Sequence, residues 1–199
     1  MKPYMLCLGL LLLGEQTIAQ HVVTQTQQLL NSVINRRGAL VELRPLHRLY
    51  WSVGDTADSM VKRRGGPLAL DVISKRKLAE IISNSAGLDT AAWTTQELDS
   101  VIFVVNQEQY LRSQVEIKRL KIADKRLISF YKKIIWRYNN TSPANRRVTA
   151  FSRPVFDNSG TYAVIAFDNG YLLSGGGAII LYKRDPEWRE VGLIKKWAH

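Results

Sequence analysis

Cysteine is nearly missing from this 199-residue chain; the single example, Cys7, lies inside the apolar run near its start. One thiol excludes an intramolecular disulfide and a cysteine-built metal site, so stability has to come from a core. Histidine is almost as scarce, with only His21, His47 and His199. A multi-histidine zinc site or a histidine-based triad would have little more than His47 to draw on. Neither Gly-x-Ser-x-Gly nor His-Glu-x-x-His occurs, which removes the nucleophile elbow and the zincin motif. Acidic residues are in deficit, 17 against 28 lysines and arginines, leaving a net charge of +11. Beyond the first apolar stretch no segment approaches the ~20 apolar residues of a membrane-spanning helix.

What is present begins with "MKPYMLCLGLLLLGEQTIAQ": a cation at Lys2, an apolar stretch from Tyr4 to Leu13, and small residues at Thr17 and Ala19. This pattern predicts a secretory signal over residues 1–19, cut after Ala19, and a secreted or periplasmic product without a transmembrane segment. A lipid anchor would need a cysteine just after the apolar core, whereas Cys7 leaves with the peptide. Cleavage removes one cation, Lys2, and one anion, Glu15, so the charge of +11 survives it. Residues 20–199 suffice for one globular domain. The charge suits an anionic envelope polymer, acidic lipid or nucleic acid, against the plainer role of keeping the protein soluble.

Along the chain, "VVTQTQQLLNSVINRRG" spaces Val22, Val23, Leu29, Leu30, Val33 and Ile34 for a first helix that stops at Arg36-Arg37-Gly38. Residues 39–66 read as a broken continuation, so 20–66 is expected to be helical. Two strand-helix units follow over 67–123. The first has a strand at Leu68–Val72, an N-cap at Ser74 and a helix through Ile82; the second has a strand at Val101–Val105, a cap at Asn106 and a helix through Leu111. Over 124–199, "DKRLISFYKKIIWRY" predicts an amphipathic helix with Leu127, Tyr131, Ile134, Ile135 and Tyr138 on one stripe and Arg126, Lys133 and Arg137 opposite. "RRVTAFSRPVF", "TYAVIAFD", "GAIILYKR" and "WREVGLIKKW" predict strands joined by short turns. The expected fold is α+β, with a helical N-terminal region, strand-helix units, and a four-stranded antiparallel meander under the basic helix.

The triplet Gly175, Gly176 and Gly177 raises the question of a phosphate cradle. Such a loop needs a helix after the glycines, because the unpaired amides of its first turn bind the anion. Here "AIILYKR" follows and reads as a strand, and no Gly-Lys-Ser/Thr ending is present. The triplet is therefore a structural loop, expected to supply positive φ or a bulge, and no nucleotide is expected. Asp71, Glu80, Asp99 and Glu108 have no spacing that marks an acid-base pair. No catalytic, metal-binding or cofactor-binding set emerges.

The basic helix is the more informative surface. Lys125, Lys132, Lys133 and Arg137, with Trp136 on the cationic arc of the wheel, form a candidate site for an anionic partner, since an indole among lysines can stack on a base or sugar. The competing expectation is a packed ring, because large aromatics are usually covered.

The stretch from "FYKKIIWRY" through "FSRPVF", "AVIAF", the glycine loop, "LYKRDPEW" and the final "KKW" resembles a recurring tail of small secreted proteins of uncharacterised function from Bacteroidetes-type bacteria. The resemblance covers residues 130–197. Where those relatives often carry two cysteines, this chain has Asn169-Gly170 and Leu173-Ser174, so no hairpin-closing disulfide follows. The family brings no activity with it. Two functions stay open: a non-catalytic module binding a protein or an anionic polymer, and a carboxylate-dependent hydrolase with a cone-shaped open sheet, whose last strands would be similar to those of the nuclear-transport-factor-like fold.

Overall fold

From Val148 onward, runs rich in β-branched and aromatic side chains, parted by turn residues, build the larger part of a sheet. The computed structural model describes residues 25–34, 40–46, 67–98, 101–170 and 175–198. Its elements, in chain order, are α1 (25–33), β1 (Leu40–Glu42), α2 (Ala69–Val72), α3 (Lys75–Asn84), β2 (Ile102–Val104), α4 (Ser113–Arg119), α5 (Lys125–Asn139), β3 (Val148–Phe151), β4 (Val155–Phe156), β5 (Tyr162–Gly170), β6 (Gly176–Arg184) and β7 (Trp188–Ala198). The expected signal segment lies outside the described residues, as do the helix stop at residues 36–38 and most of 39–66.

The α+β class holds, and the C-terminal strands do run antiparallel. Two details differ. The sheet has seven strands rather than four, in the order β2-β1-β3-β5-β6-β7, with β4 pairing β5. β1 runs parallel to both β2 and β3, so a strand stands where a helical region was expected. The second difference is the seat of α5. Its Tyr131, Ile135 and Tyr138 pack with Ile102, Val104, Leu111 and Val148, over the parallel edge and the start of β3 and not over β5–β7.

β5 shows why the sheet is covered on both faces. Ala163 and Ile165 join Leu29, Leu30 and Ile34 of the α1 segment in one core, while Val164 and Ala166 join Leu78 and Ile81 of α3 in another. Successive side chains of a strand point to opposite faces, so each helix takes one face. Ser74 caps α3 as expected, its side chain accepting from the Lys77 N–H. The expected strand at Leu68–Val72 is instead α2. Leu68 makes only an isolated bridge to Leu193, and its N–H donates to the Asp71 carboxylate at 2.9 Å, which closes a helical turn. A short apolar run carries no periodicity that separates strand from buried helix.

Ser152 explains the break between β3 and β4. Its N–H donates to Ala166 O at 2.8 Å, and the Ala166 N–H donates back to Ser152 Oγ at 2.9 Å. The hydroxyl thus replaces a ladder carbonyl, and the chain can step out at Arg153-Pro154, where proline has no N–H to give. Arg153 then crosses to residues 89–97. It lies 4.5 Å from the Trp93 ring, donates to the carbonyls of Asp89 and Ala91, and pairs with Glu97.

The β4–β5 turn is held by Asp157, whose side chain is wholly inaccessible. It accepts from the Tyr162 N–H at 2.9 Å and from Ser159 Oγ, and pairs with Lys77 at 2.8 Å, while Gly160 takes φ +67° to close the turn. Burial alone would raise its pKa; the donors from Lys77, Ser159 and Tyr162 outweigh burial and hold it below the ordinary 3.8. The hydrogen bond that Lys77 donates to Asp157 raises Lys77 above 10.5. Asp157 therefore stabilises the fold above its unfolded pKa, and that contribution is lost as pH falls through the lower folded value; Lys77's is full below 10.5 and lost as pH rises through its folded value. In thermal melts across pH, Asp157→Asn is expected to melt lower at neutral pH and to lose part of the decline that wild type shows on acidification below pH 4. An unaltered acid limb would mean the carboxylate carries no linkage. Among the described residues no helix is long and apolar enough to cross a membrane.

Candidate functional site

Helix α5 starts where Asp124 accepts from the Arg126 N–H at 2.7 Å, and it contains no acidic residue. Its far end is fixed by Arg146, which is 7% exposed. The guanidinium donates to the carbonyls of Tyr138 and Thr141 at 3.0 Å, Asn139 at 3.4 Å and Gln109 at 3.1 Å, and to that of Gln107, and lies 4.5 Å from the Tyr138 ring. Tyr138 Oη donates to the carbonyls of Asn106 and Gln107. One cation thus satisfies the end of the helix and the 106–109 turn together.

That arrangement corrects the expected helix from Asn106 to Leu111. Asn106 does turn the chain, its Oδ1 accepting from the Glu108 N–H at 3.0 Å. The carbonyls a helix would use are taken by Arg146 and Tyr138, and residues 109–112 run without helical structure until α4 begins at Ser113. Asn139 pins this segment beside α5: its Nδ2 donates to Leu111 O at 2.8 Å, and its Oδ1 accepts from the Leu111 N–H at 3.0 Å. With Leu111 buried, Tyr110 and Arg112 on either side of it are exposed.

Between α5 and residues 110–115 lies a cleft of about 440 Å³. Lys132, Ile135, Trp136 and Asn139 line it from the helix; Tyr110, Arg112 and Gln114 are among the residues of the other wall. Trp136 is 66% exposed and Tyr110 69%. The expectation of a packed Trp136 is thereby overturned: the apolar stripe is narrower than the wheel suggested, with only Tyr131, Ile135 and Tyr138 fully covered. Leu127 and Phe130, too, stay at the surface.

The predicted cationic residues separate into groups. Lys125, Lys132 and Trp136 are seven and eleven residues apart, close to whole turns at 3.6 residues per turn, so they form one row along the cleft side. Lys133 lies on the next row outward. Arg137 lines a second recess of about 290 Å³ on the other flank, with Ile134, Arg146 and Arg147. Ion pairs are present elsewhere, at Lys77, Arg119, Arg153 and Lys183. Among the described residues no carboxylate pairs with Lys125, Lys132, Lys133 or Arg137. Tyr110 and Arg112 are the site residues that sequence reasoning missed; nothing in "QYLR" marks them, because their exposure on either side of the buried Leu111 comes from the way Asn139 and Arg146 hold this segment.

Gly176 and Gly177 open β6, and Gly175 stands immediately before it, so two of the three glycines are strand residues rather than loop. Neither Gly176 nor Gly177 takes a positive φ. Their role is proximity. A Cβ on Gly177 would stand 2.3 Å from both Phe167 O and the Trp197 ring, and Trp197 Nε1 donates to Asp168 at 3.0 Å.

The carboxylates considered from sequence serve separate elements: Asp71 caps α2, Glu80 pairs with Lys77 and accepts from the Asn158 N–H, and Glu108 is exposed. Asp99 lies outside the described residues. Glu42 is exposed, but nearby protein crowds its carboxyl and raises its pKa, with a further rise from the charge of Asp168. Neither recess beside α5 is lined by a carboxylate. No protein-family model, no curated protein and no solved structure matches the chain.

Proposed function

We propose that this chain is a secreted or periplasmic, non-catalytic binding module that takes an anionic polymer on the cleft side of α5, through Lys125, Lys132 and Arg112 with Trp136 beside them. The observation that carries this reading is the display of Trp136 on a helix whose cations have no carboxylate partners among the described residues. Leaving a tryptophan in water and lysines unneutralised gains the fold nothing, whereas a polyanion would release counterions from its charges on binding. Lys133 and Arg137 add to the surrounding potential from outside the cleft. The hydrolase alternative would rest on Glu42 and Asp168, and the Trp197 indole already engages Asp168.

Polyphosphate, an anionic polymer without rings, tests the charge component alone. Binding to the full chain is expected to weaken steeply between 50 and 200 mM salt, as counterion release dictates, and Lys125→Ala/Lys132→Ala should lower the slope of log affinity against log salt by about 1 to 2. Absent or salt-independent binding would contradict the proposal.

A further inference from the structure

Resting on the reading of α5 as a polymer surface, we infer that the cleft between α5 and residues 110–115 is a subsite for an acidic oligosaccharide, a chain of uronic acid residues. The apolar faces of its rings lie against Trp136 and Tyr110, and its carboxylates meet Lys132 and Arg112. Each wall of the cleft contributes one exposed aromatic ring and one cation. The buried Leu111 and Ile135 line it as well, and Ser113 and Gln114 add neutral donors and acceptors. A sugar acid needs this combination: an apolar patch for the C–H face of the ring, amide and hydroxyl partners for its hydroxyls, and a sparse set of cations. The volume of about 440 Å³ falls in the ~300–1,000 Å³ range of ligand clefts.

Extent separates this occupant from nucleic acid. Along the cleft row, Lys125 and Lys132 are seven residues apart, roughly 10 Å at 1.5 Å per residue. A single nucleic-acid strand is tracked by a continuous basic groove with successive aromatic platforms, whereas this recess holds one ring and one cation on each wall. Shape separates it from a membrane. Tyr110 and Trp136 line a recess, and a bilayer surface, flat on this scale, cannot enter one. Asn139 is not available to ligand, because both ends of its amide hold Leu111; it positions the wall that carries Tyr110.

The test is calorimetric titration of the full chain with oligogalacturonate, its fully methyl-esterified form, polyphosphate, oligodeoxythymidylate and phosphatidylglycerol vesicles. Oligogalacturonate should bind most tightly; Trp136→Ala and Tyr110→Ala should each weaken it tenfold or more, Trp136→Phe should retain most of the affinity, and esterification should weaken binding and abolish its salt dependence. Polyphosphate binding should be nearly indifferent to Trp136→Ala. If oligogalacturonate binds no better than polyphosphate and Trp136→Ala alters neither, the subsite is wrong while the basic-surface reading stands. Tighter, Trp136-dependent binding of oligodeoxythymidylate or of vesicles would also overturn the sugar occupant. If no anionic probe binds, both readings fall.

Discussion

Arg146→Met should destabilise the chain by about 4 kcal/mol or more, since it strips a buried donor from carbonyls that have little water to turn to, at about 1–3 kcal/mol for each acceptor left unsatisfied. Tyr138, Asn139 and Thr141 would lose the cap of α5, and Gln107 and Gln109 would lose the donor that shapes their turn. Arg146→Lys should rescue little, because one ammonium cannot span two chain segments as the planar guanidinium does. The same variant should weaken polyanion binding, since the Tyr110 wall hangs from that turn. Urea denaturation measures the first effect, and a loss under 1 kcal/mol would mean that water reaches these carbonyls.

Gly177→Val is the second large effect expected, a loss of about 3 kcal/mol, at the upper end of what overpacking usually costs. Its Cβ would meet Phe167 O and the Trp197 ring at 2.3 Å, and the former is backbone of the neighbouring strand. The ring could swing aside only by giving up its hydrogen bond to Asp168; the carbonyl could move only with β5. Gly177→Ala should show most of the same loss. A nucleotide should leave the melting temperature of wild type unmoved, because these glycines lead into a strand and not a helix. A clear nucleotide-dependent rise, or a Gly177→Val protein as stable as wild type, would contradict the assignment.

The elements legible in the sequence were those whose causes are local. Asp124 and Ser74 cap their helices through side chains two and three residues from the amides they serve. The β-branched and aromatic runs of β5, β6 and β7 are long enough to show, and short turns leave only antiparallel pairing. β1 was hidden because three residues, Leu40–Glu42, carry no readable period, and their partners Phe103 and Thr149 lie far along the chain. The 106–111 segment was misread for a related reason: its backbone partners come from Arg146 and Tyr138, more than 30 residues away. Tyr110 and Arg112 stayed invisible as site residues, since their display depends on that distant clamp. Trp136 was placed correctly on the cationic arc by spacing alone. Whether its ring was covered depended on tertiary packing, and among the described residues no neighbouring element reaches far enough over it to bury it.

The most direct test of the account is one preparation of Trp136→Ala, measured for both melting and oligogalacturonate binding. An indole displayed at the mouth of a ligand cleft contributes to binding and not to the core. The predicted result is a melting temperature within about 2 °C of wild type, since a surface substitution away from packed features shifts stability by no more than ~0.5 kcal/mol, together with at least a tenfold loss of affinity. The contradicting result is a stability loss of roughly 3 to 5 kcal/mol, the cost of emptying a packed tryptophan site, or unchanged stability with unchanged binding.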